Sequence, residues 1–373
     1  MSMSLNILMC CHLPLDPKLG GAKVYIESAM AYEQKGHSVT LLGLNDFDET
    51  LINKPLEERL KKLPKLLIEK LHSIGHKYDI VEYEYLYLPY EKPKNCKKTK
   101  FVARSVLLEY HLLDFALPKI PKGFFKQKLS NLKQNYLLKK RLLLAFQTLR
   151  NSDLINVPNS LDKLRLEREG FNSDKIIVSP YGTFREPLIL NQKPSLNKIA
   201  YIASFDPRKG CLDLPKILSK LSSKTEVRLI LLGTKGRFKN KNDIFSFFPK
   251  DIHTSLEVTM SFENENLDDL LKDIGIGIFP SYLESFGFGV IEMISRGIPV
   301  ISYDVPGPSD ILPRKCLVPP GDWNALVTKV LKLINEKNYT SVRQECLDKS
   351  KQFVWNTSVK NALEEYHKKD SSY

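Results

Sequence analysis

The sequence predicts an α/β protein built from two doubly wound parallel-sheet domains, and three observations carry that expectation. At 373 residues the chain exceeds what a single hydrophobic core usually organises. Its N-terminal part reads strand, glycine-bearing loop, helix, strand, the unit from which parallel sheets are assembled. The same pattern restarts at Lys198, after a proline-bearing stretch.

The elements follow in order. Leu5 to Cys11 is a continuous apolar run, expected as a buried first strand. A turn-rich loop through Gly20-Gly21 leads to a helix from about Ala22 to Lys35, ended by Gly36, and Ser38 to Leu44 is a second strand. Asp79-Ile80-Val81, Lys100 to Ala103, Leu154 to Val157 and Ile176 to Val178 complete the first sheet. Arg185 to Leu196, with Pro187 and Pro194, reads as the linker. Lys198 to Ile202 then opens the second sheet, with further strands near Val227 to Leu232, Glu257 to Met260, Ile274 to Phe279, Pro299 to Tyr303 and Cys316 to Val318. Ser341 to His367 is expected to be helical, with Trp355 anchoring it on the body. The expected domains are 1–187, 188–350 and a packed-back C-terminal helix, 351–373.

Composition narrows the function. Hydrophobic residues make up 42% and charged residues 27%, as in soluble globular proteins, and no apolar run is long enough to span a bilayer. The Leu5 to Cys11 run is too short for a secretion signal and lacks a basic leader. Six cysteines without metal-ligand or disulfide spacing point to a reducing cytoplasm. The formal net charge is +13. Roughly nine of those charges belong to the stretch before Pro187. From Phe115 to Ser152 there are nine Lys or Arg and no acid: Lys119, Lys122, Lys126, Lys128, Lys133, Lys139, Lys140, Arg141 and Arg150. No zinc spacing or recognition helix accompanies this charge, so a nucleic-acid partner is not expected.

The stretch from Glu284 to Glu292 carries the most chemistry. It follows the strand Ile274 to Phe279 and sets two carboxylates around a glycine-bearing turn at Gly287 and Gly289. The first N–H groups of a helix have no internal partners and mark the positive end of its dipole, so such a turn favours an anion. The N–H groups of Phe286, Gly287, Phe288 and Gly289 suit a diphosphate, with Ser285 beside them in the donor site, and Glu284 and Glu292 suit hydroxyls beyond it. Other loops at strand ends carry Gly20-Gly21, Arg208-Lys209-Gly210 and Gly233-Thr234-Lys235-Gly236-Arg237. Asp46-Phe47-Asp48 is expected to be a solvated turn rather than a metal site.

Together these motifs resemble the GT-B glycosyltransferases, specifically the retaining glycosyltransferase family 4, over nearly the whole chain. The resemblance rests on the Glu284 to Glu292 block, Gly297-Ile298-Pro299-Val300 and Val318-Pro319-Pro320-Gly321-Asp322. Gly20-Gly21, Gly36-His37-Ser38-Val39, Lys209-Gly210 and Phe353-Val354-Trp355 support it. It implies two Rossmann-like domains facing each other across a cleft. It also implies transfer of a sugar from a UDP- or GDP-sugar to a glycan or lipid-linked acceptor, with retained anomeric configuration, no cofactor and no obligatory metal. Lys209, with Arg208, would neutralise the leaving diphosphate, Glu292 would hold the ribose and Glu284 the donor sugar. Gly20, Gly21 and Gly233 would line the donor.

Two positions depart from the family pattern. Ser204 stands where the family usually has an arginine, five residues before the phosphate-binding lysine. Val106-Leu107 occupies the place of a His-Gly pair after Ser105, and His111, the nearest histidine, is the candidate replacement. A protein that binds a sugar nucleotide without transferring it, or an epimerase on the same fold, is the alternative. The basic segment, through Lys122, Lys126, Lys128, Lys133, Lys139, Lys140 and Arg141, is expected to meet the acceptor or an anionic membrane surface at the inner face.

Overall fold

The computed structural model describes residues 4–114, 117–120, 124–335 and 338–368, without the side chains of 124–131, 367 and 368. The chain forms two compact units, one of Met1–Asp114, Pro121–Gly182 and Trp355–Tyr373, the other of Phe115–Ile120 and Thr183–Val354.

The first unit is organised by six parallel strands: β1 Asn6–Cys10, β2 Ser38–Leu42, β3 Ile80–Glu84, β4 Lys100–Arg104, β5 Leu154–Val157 and β6 Ile176–Val178. Their order across the sheet is β2-β1-β3-β4-β5-β6. The chain moves outward from β1 to β2, then returns to the other side of β1 for β3, so the switch point lies between β1 and β3. β1 is buried over four of five positions because strands covered on two faces read as apolar runs rather than alternating ones. The helix Gly20–Gln34 begins at Gly20, two residues earlier than its apolar periodicity suggests. Gly20 and Gly21 are therefore its first turn and not a loop.

β3 runs three residues past Val81, to Glu84, and Glu82 and Glu84 are both buried. Glu82 is tolerated there because its partners come from distant sequence. Its Oε2 accepts from Arg104 Nε at 2.9 Å, and its Oε1 from Tyr32 at 2.8 Å and Tyr366 at 2.9 Å. Asn156 Nδ2 donates to the Tyr366 hydroxyl at 2.7 Å. Tyr366 lies on the helix Trp355–Lys368, which is pinned at its other end by Trp355 Nε1 donating to Glu27 Oε2 at 2.6 Å and stacking on Tyr181. The helical run expected from Ser341 to His367 is thus two helices, Tyr339–Ser350 and Trp355–Lys368, and the second belongs to the first unit.

The second unit repeats the design with β7 Ser195–Ile202, β8 Arg228–Leu232, β9 Leu256–Thr259, β10 Ile274–Phe279, β11 Val300–Tyr303 and β12 Leu317–Val318. All neighbours are parallel and the order is β12-β11-β10-β7-β8-β9, which places this switch point between β7 and β10. The stretch Arg185 to Leu196 is anchored to this unit. Arg185 pairs with Asp268 on one side, Leu188 and Leu190 donate to Ser295 and Arg296, and β7 already begins at Ser195.

Candidate active site at the switch point of the second unit

In open parallel sheets ligands bind beyond the carboxyl ends of the strands, at the switch point. Two loops leave that edge here. The loop after β7 contains a single 3₁₀ turn, Pro207–Lys209, because Asp206 Oδ1 accepts from Arg208 N at 2.9 Å and Pro207 presets the first φ. Gly210 ends it with φ of +81°. A Cβ at Gly210 would lie 1.9 Å from the carbonyl oxygen of Pro280, so the close approach of the two loops requires glycine. Replacing Gly210 by alanine is expected to cost at least about 1–3 kcal/mol from backbone strain alone. A thermal or urea melt with an unchanged midpoint would contradict this.

The outcome of that turn is convergence of two adjacent cations on one carboxylate. Lys209 Nζ pairs directly with Glu284 Oε1, and Arg208 Nη1 lies 3.7 Å from the same oxygen while donating to Leu283 O at 2.8 Å. Adjacent side chains in a helix or strand would diverge; in this tight turn they do not. Glu284 sits in the loop after β10, its side chain 7% exposed, and also accepts from Ser281 Oγ at 2.7 Å. Burial pulls Lys209 down to about 8, against the opposing charge of Glu284. Burial also raises Glu284, but Lys209 and Arg208 more than offset it and hold the carboxyl below its ordinary value. The Lys209 ammonium additionally lies 5.8 Å above the Phe279 ring.

A second layer fixes these loops. Tyr201 at the end of β7 donates to the carbonyls of Ser204 at 3.0 Å and Lys209 at 3.2 Å. Asp213 accepts from Tyr282 at 2.6 Å and Tyr303 at 2.8 Å, tying the loop after β10 to β11. Sequence reasoning missed Ser281, Tyr201 and Asp213. Only Ser281 left a local signal, the Ser-x-x-Glu spacing to Glu284.

The other expected site residues fall as follows. Gly287 has φ of +94° and precedes the short helix Phe288–Ile294. Gly289 abuts the Ile202 carbonyl at the end of β7, so Ser285 to Gly289 lie at the same edge as Lys209. Glu292 is one turn into that helix, half-buried, and its carbonyl accepts from Arg296 at 2.8 Å. Gly233 follows β8 with φ of +72°. Ser204 is close to Gly236 of that same loop.

Gly20, Gly21 and His111 belong to the first unit. Gly21 packs against Leu13 and Val106. His111 is buried, its Nε2 2.8 Å from Asp162 Oδ1, an arrangement that fixes the ring. Asp46 and Asp48 cap turns through Gly43 N and Thr50 N. Of the basic segment, Lys122 lies outside the described residues, as do the side chains of Lys126 and Lys128. Lys133 pairs with Glu57 at 3.4 Å and Arg141 with Glu109 at 2.6 Å, while Lys139 is exposed and Lys140 half-buried.

Residues 185–353, just under half of the chain, match the family described as Glycosyl transferases group 1. That span covers nearly all of the second unit. Among curated relatives, a probable sucrose-phosphate synthase 2 of Craterostigma plantagineum is 33% identical over 99 residues, 26% of this chain and 8% of that protein. An O-antigen chain mannosyltransferase B of Escherichia coli is 24% identical over 235 residues, 61% of this chain and 60% of that one. The chain thus matches less than a tenth of the length of that synthase and under two thirds of the mannosyltransferase. Likeness of fold extends over the whole chain. The sucrose-phosphate synthase of Thermosynechococcus elongatus superposes with a TM-score of 0.76 at 17% identity, covering 99% of this chain and 100% of that one. Anabaena HepE, solved with UDP and glucose, gives 0.66 at 14% identity with the same coverages. The two Rossmann-like units are the architecture these proteins share.

Proposed function

We propose that the protein is a retaining glycosyltransferase of family 4 that moves a sugar from a nucleoside diphosphate sugar to a glycan or lipid-linked acceptor, in surface polysaccharide or glycolipid synthesis. The observation that carries this reading is the meeting of Lys209, Arg208 and Glu284 at the β7/β10 switch point of the unit that matches the group-1 glycosyl transferases. In the reaction the bond between the anomeric carbon and the β-phosphate oxygen breaks, its electron pair leaves with the diphosphate, and the acceptor hydroxyl oxygen forms the new bond while its proton passes to the departing diphosphate. Cations aimed at the leaving oxygens are the largest catalytic contribution in such a step. Lys209 and Arg208 supply them, so this reading requires neither cofactor nor metal. Glu284 takes a donor-sugar hydroxyl, Glu292 the ribose, and the N–H groups from Phe286 to Gly289 the phosphates. A UDP-sugar as donor is supported by HepE having been solved with UDP-glucose, and a GDP-sugar is the other donor this reading allows.

A mass-spectrometric screen of purified protein against UDP- and GDP-sugars tests the proposal. A transferase consumes donor and releases nucleotide; isomerised donor would indicate an epimerase, and unchanged donor with tight binding a carrier. Since Lys209 titrates near 8 and acts as a cation, kcat/KM is expected to fall as pH rises through that value. Lys209→Arg should move this alkaline limb upward, and a limb that stays in place would assign it to another group.

The acceptor is proposed to be met at the inner face of the membrane, by the basic helix Phe124–Asn151. Its outer surface carries Lys139 beside the exposed Leu132, Tyr136 and Leu143. Each Lys or Arg near an anionic leaflet contributes about 1 kcal/mol. Flotation with phosphatidylglycerol vesicles is expected to recover the protein, with Lys139→Glu/Lys140→Glu reducing recovery; flotation independent of anionic lipid would count against this role. Among the described residues no helix is long and apolar enough to cross a membrane.

A further inference from the structure

The first unit has its own switch point, between β1 and β3, and the polar groups gathered there serve no function described above. A small cavity of about 10 Å³, room for one water-sized group, lies between Cys11 and His12, just after β1, and Glu84 and Tyr87, at and after the end of β3. Phe47 and Leu63 line its apolar side. Glu84 is 3% exposed, and its Oε2 has no hydrogen-bond partner among the described residues. His12 Nδ1 is likewise buried and without a partner among the described residues. Buried polar groups are nearly always satisfied, so two orphans lining one cavity at a ligand-binding edge call for a common partner.

We infer that this cavity is a hydroxyl-binding subsite that receives one hydroxyl group of a sugar, held between Glu84 and His12. As the ligand class is a saccharide acceptor, the inference rests on the glycosyl-transfer reading. A hydroxyl both donates and accepts one hydrogen bond or more, which fits the two walls. Burial pushes the Glu84 carboxyl well above its ordinary value, opposed by a hydrogen bond from Val106 and by Arg104 and reinforced by the charge of Glu109, which favours the protonated form that can donate. His12 is stacked on Tyr87 with ring centroids 5.0 Å apart, which presets its Nδ1. The Cys11 thiol, pushed up to about 12 by burial, is no nucleophile, so the subsite binds and does not react.

Ligand-observed NMR on the full chain tests this, with methyl glycosides of glucose, galactose and mannose and with N-acetylglucosamine as probes, and UDP and GDP titrated separately. At least one glycoside is expected to bind. Glu84→Met and His12→Phe should each weaken it about ten-fold or more, because an unpaired hydroxyl is left against an apolar wall. Glu84→Gln should stay within about three-fold, since the amide keeps a donor and an acceptor. Nucleotide affinity should not change in any variant. Failure of every glycoside to bind, or binding by Glu84→Met as tight as by the parent, would reduce the cavity to a water site and overturn the inference. His12→Phe decides the matter from the opposite wall if Glu84→Met does not fold. Loss of nucleotide binding by the unsubstituted protein would instead overturn the glycosyl-transfer reading.

Discussion

Lys209→Ala is expected to lower kcat by about 10²- to 10³-fold, the loss seen when one preorganised group facing a developing oxyanion is removed. The physical reason is that its ammonium is held in place before the reaction begins. Glu284, the Phe279 ring and the Asp206-capped turn fix its position, and a side chain only 16% exposed acts through little water. In such surroundings a charge interacts more strongly than in bulk solvent and needs no reorganisation. Arg208, anchored on Leu283 O, cannot take over without leaving that carbonyl. Steady-state kinetics with the donor found in the screen give the readout, together with nucleotide affinity. A variant with unchanged kcat would remove Lys209 from the mechanism. A second signature separates catalysis from folding: Glu284 in Lys209→Ala loses the cation that holds its carboxyl down, so it should titrate higher than in the parent.

Glu82→Ala is expected to cost about 3–5 kcal/mol of stability, the penalty of leaving the partner of a buried ion pair uncompensated. The Arg104 guanidinium would remain buried without its carboxylate, and the hydroxyls of Tyr32 and Tyr366 would lose their acceptor. Domains are stable by only about 5–15 kcal/mol, so the loss is a large share of the total. The chain provides its own reporters, since its two tryptophans fall in different units, Trp355 in the first and Trp323 in the second. In a Trp323→Phe background the urea midpoint read from Trp355 should drop sharply for Glu82→Ala. Read from Trp323 in a Trp355→Phe background, the effect should be much smaller. Equal midpoints for parent and Glu82→Ala would show that the network contributes nothing. Glu82→Met combined with Arg104→Met should lose less than either single change, because no charge is then left unpaired.

These two cases mark how far sequence reading reached. The turn around Gly287 and Gly289 and the strand before it were legible because apolar runs and glycines are local signals. So was the repetition of the strand-loop-helix pattern that predicts two parallel sheets. The pairing of Lys209 with Glu284 joins residues 75 positions apart, and only the strand order, with β10 beside β7, brings them together. The same holds for Glu82. The expected strand stopped at Val81, before Glu82, and Glu82 is buried because Arg104, Tyr32 and Tyr366 converge on it from three other elements. The stop between the helices at Ser350 and Trp355 was hidden for a related reason: the residues between carry the Thr183–Val354 bridge and the Thr183 N to Phe353 O bond, which a helical periodicity does not reveal.

By itself the sequence determined the α/β class, the two parallel sheets, the glycine turns and which residue types stand at the strand ends. Those properties follow from local backbone preference and the burial of apolar runs, both of which are written in neighbouring residues. Tertiary structure alone decided that Arg208 and Lys209 point to one carboxylate, that Glu84 and His12 share a cavity, and that the last helix belongs to the first unit. Charges and hydrogen-bonding groups find their partners through strand order and crossover connections, and spacing along the chain carries no record of that distance in space.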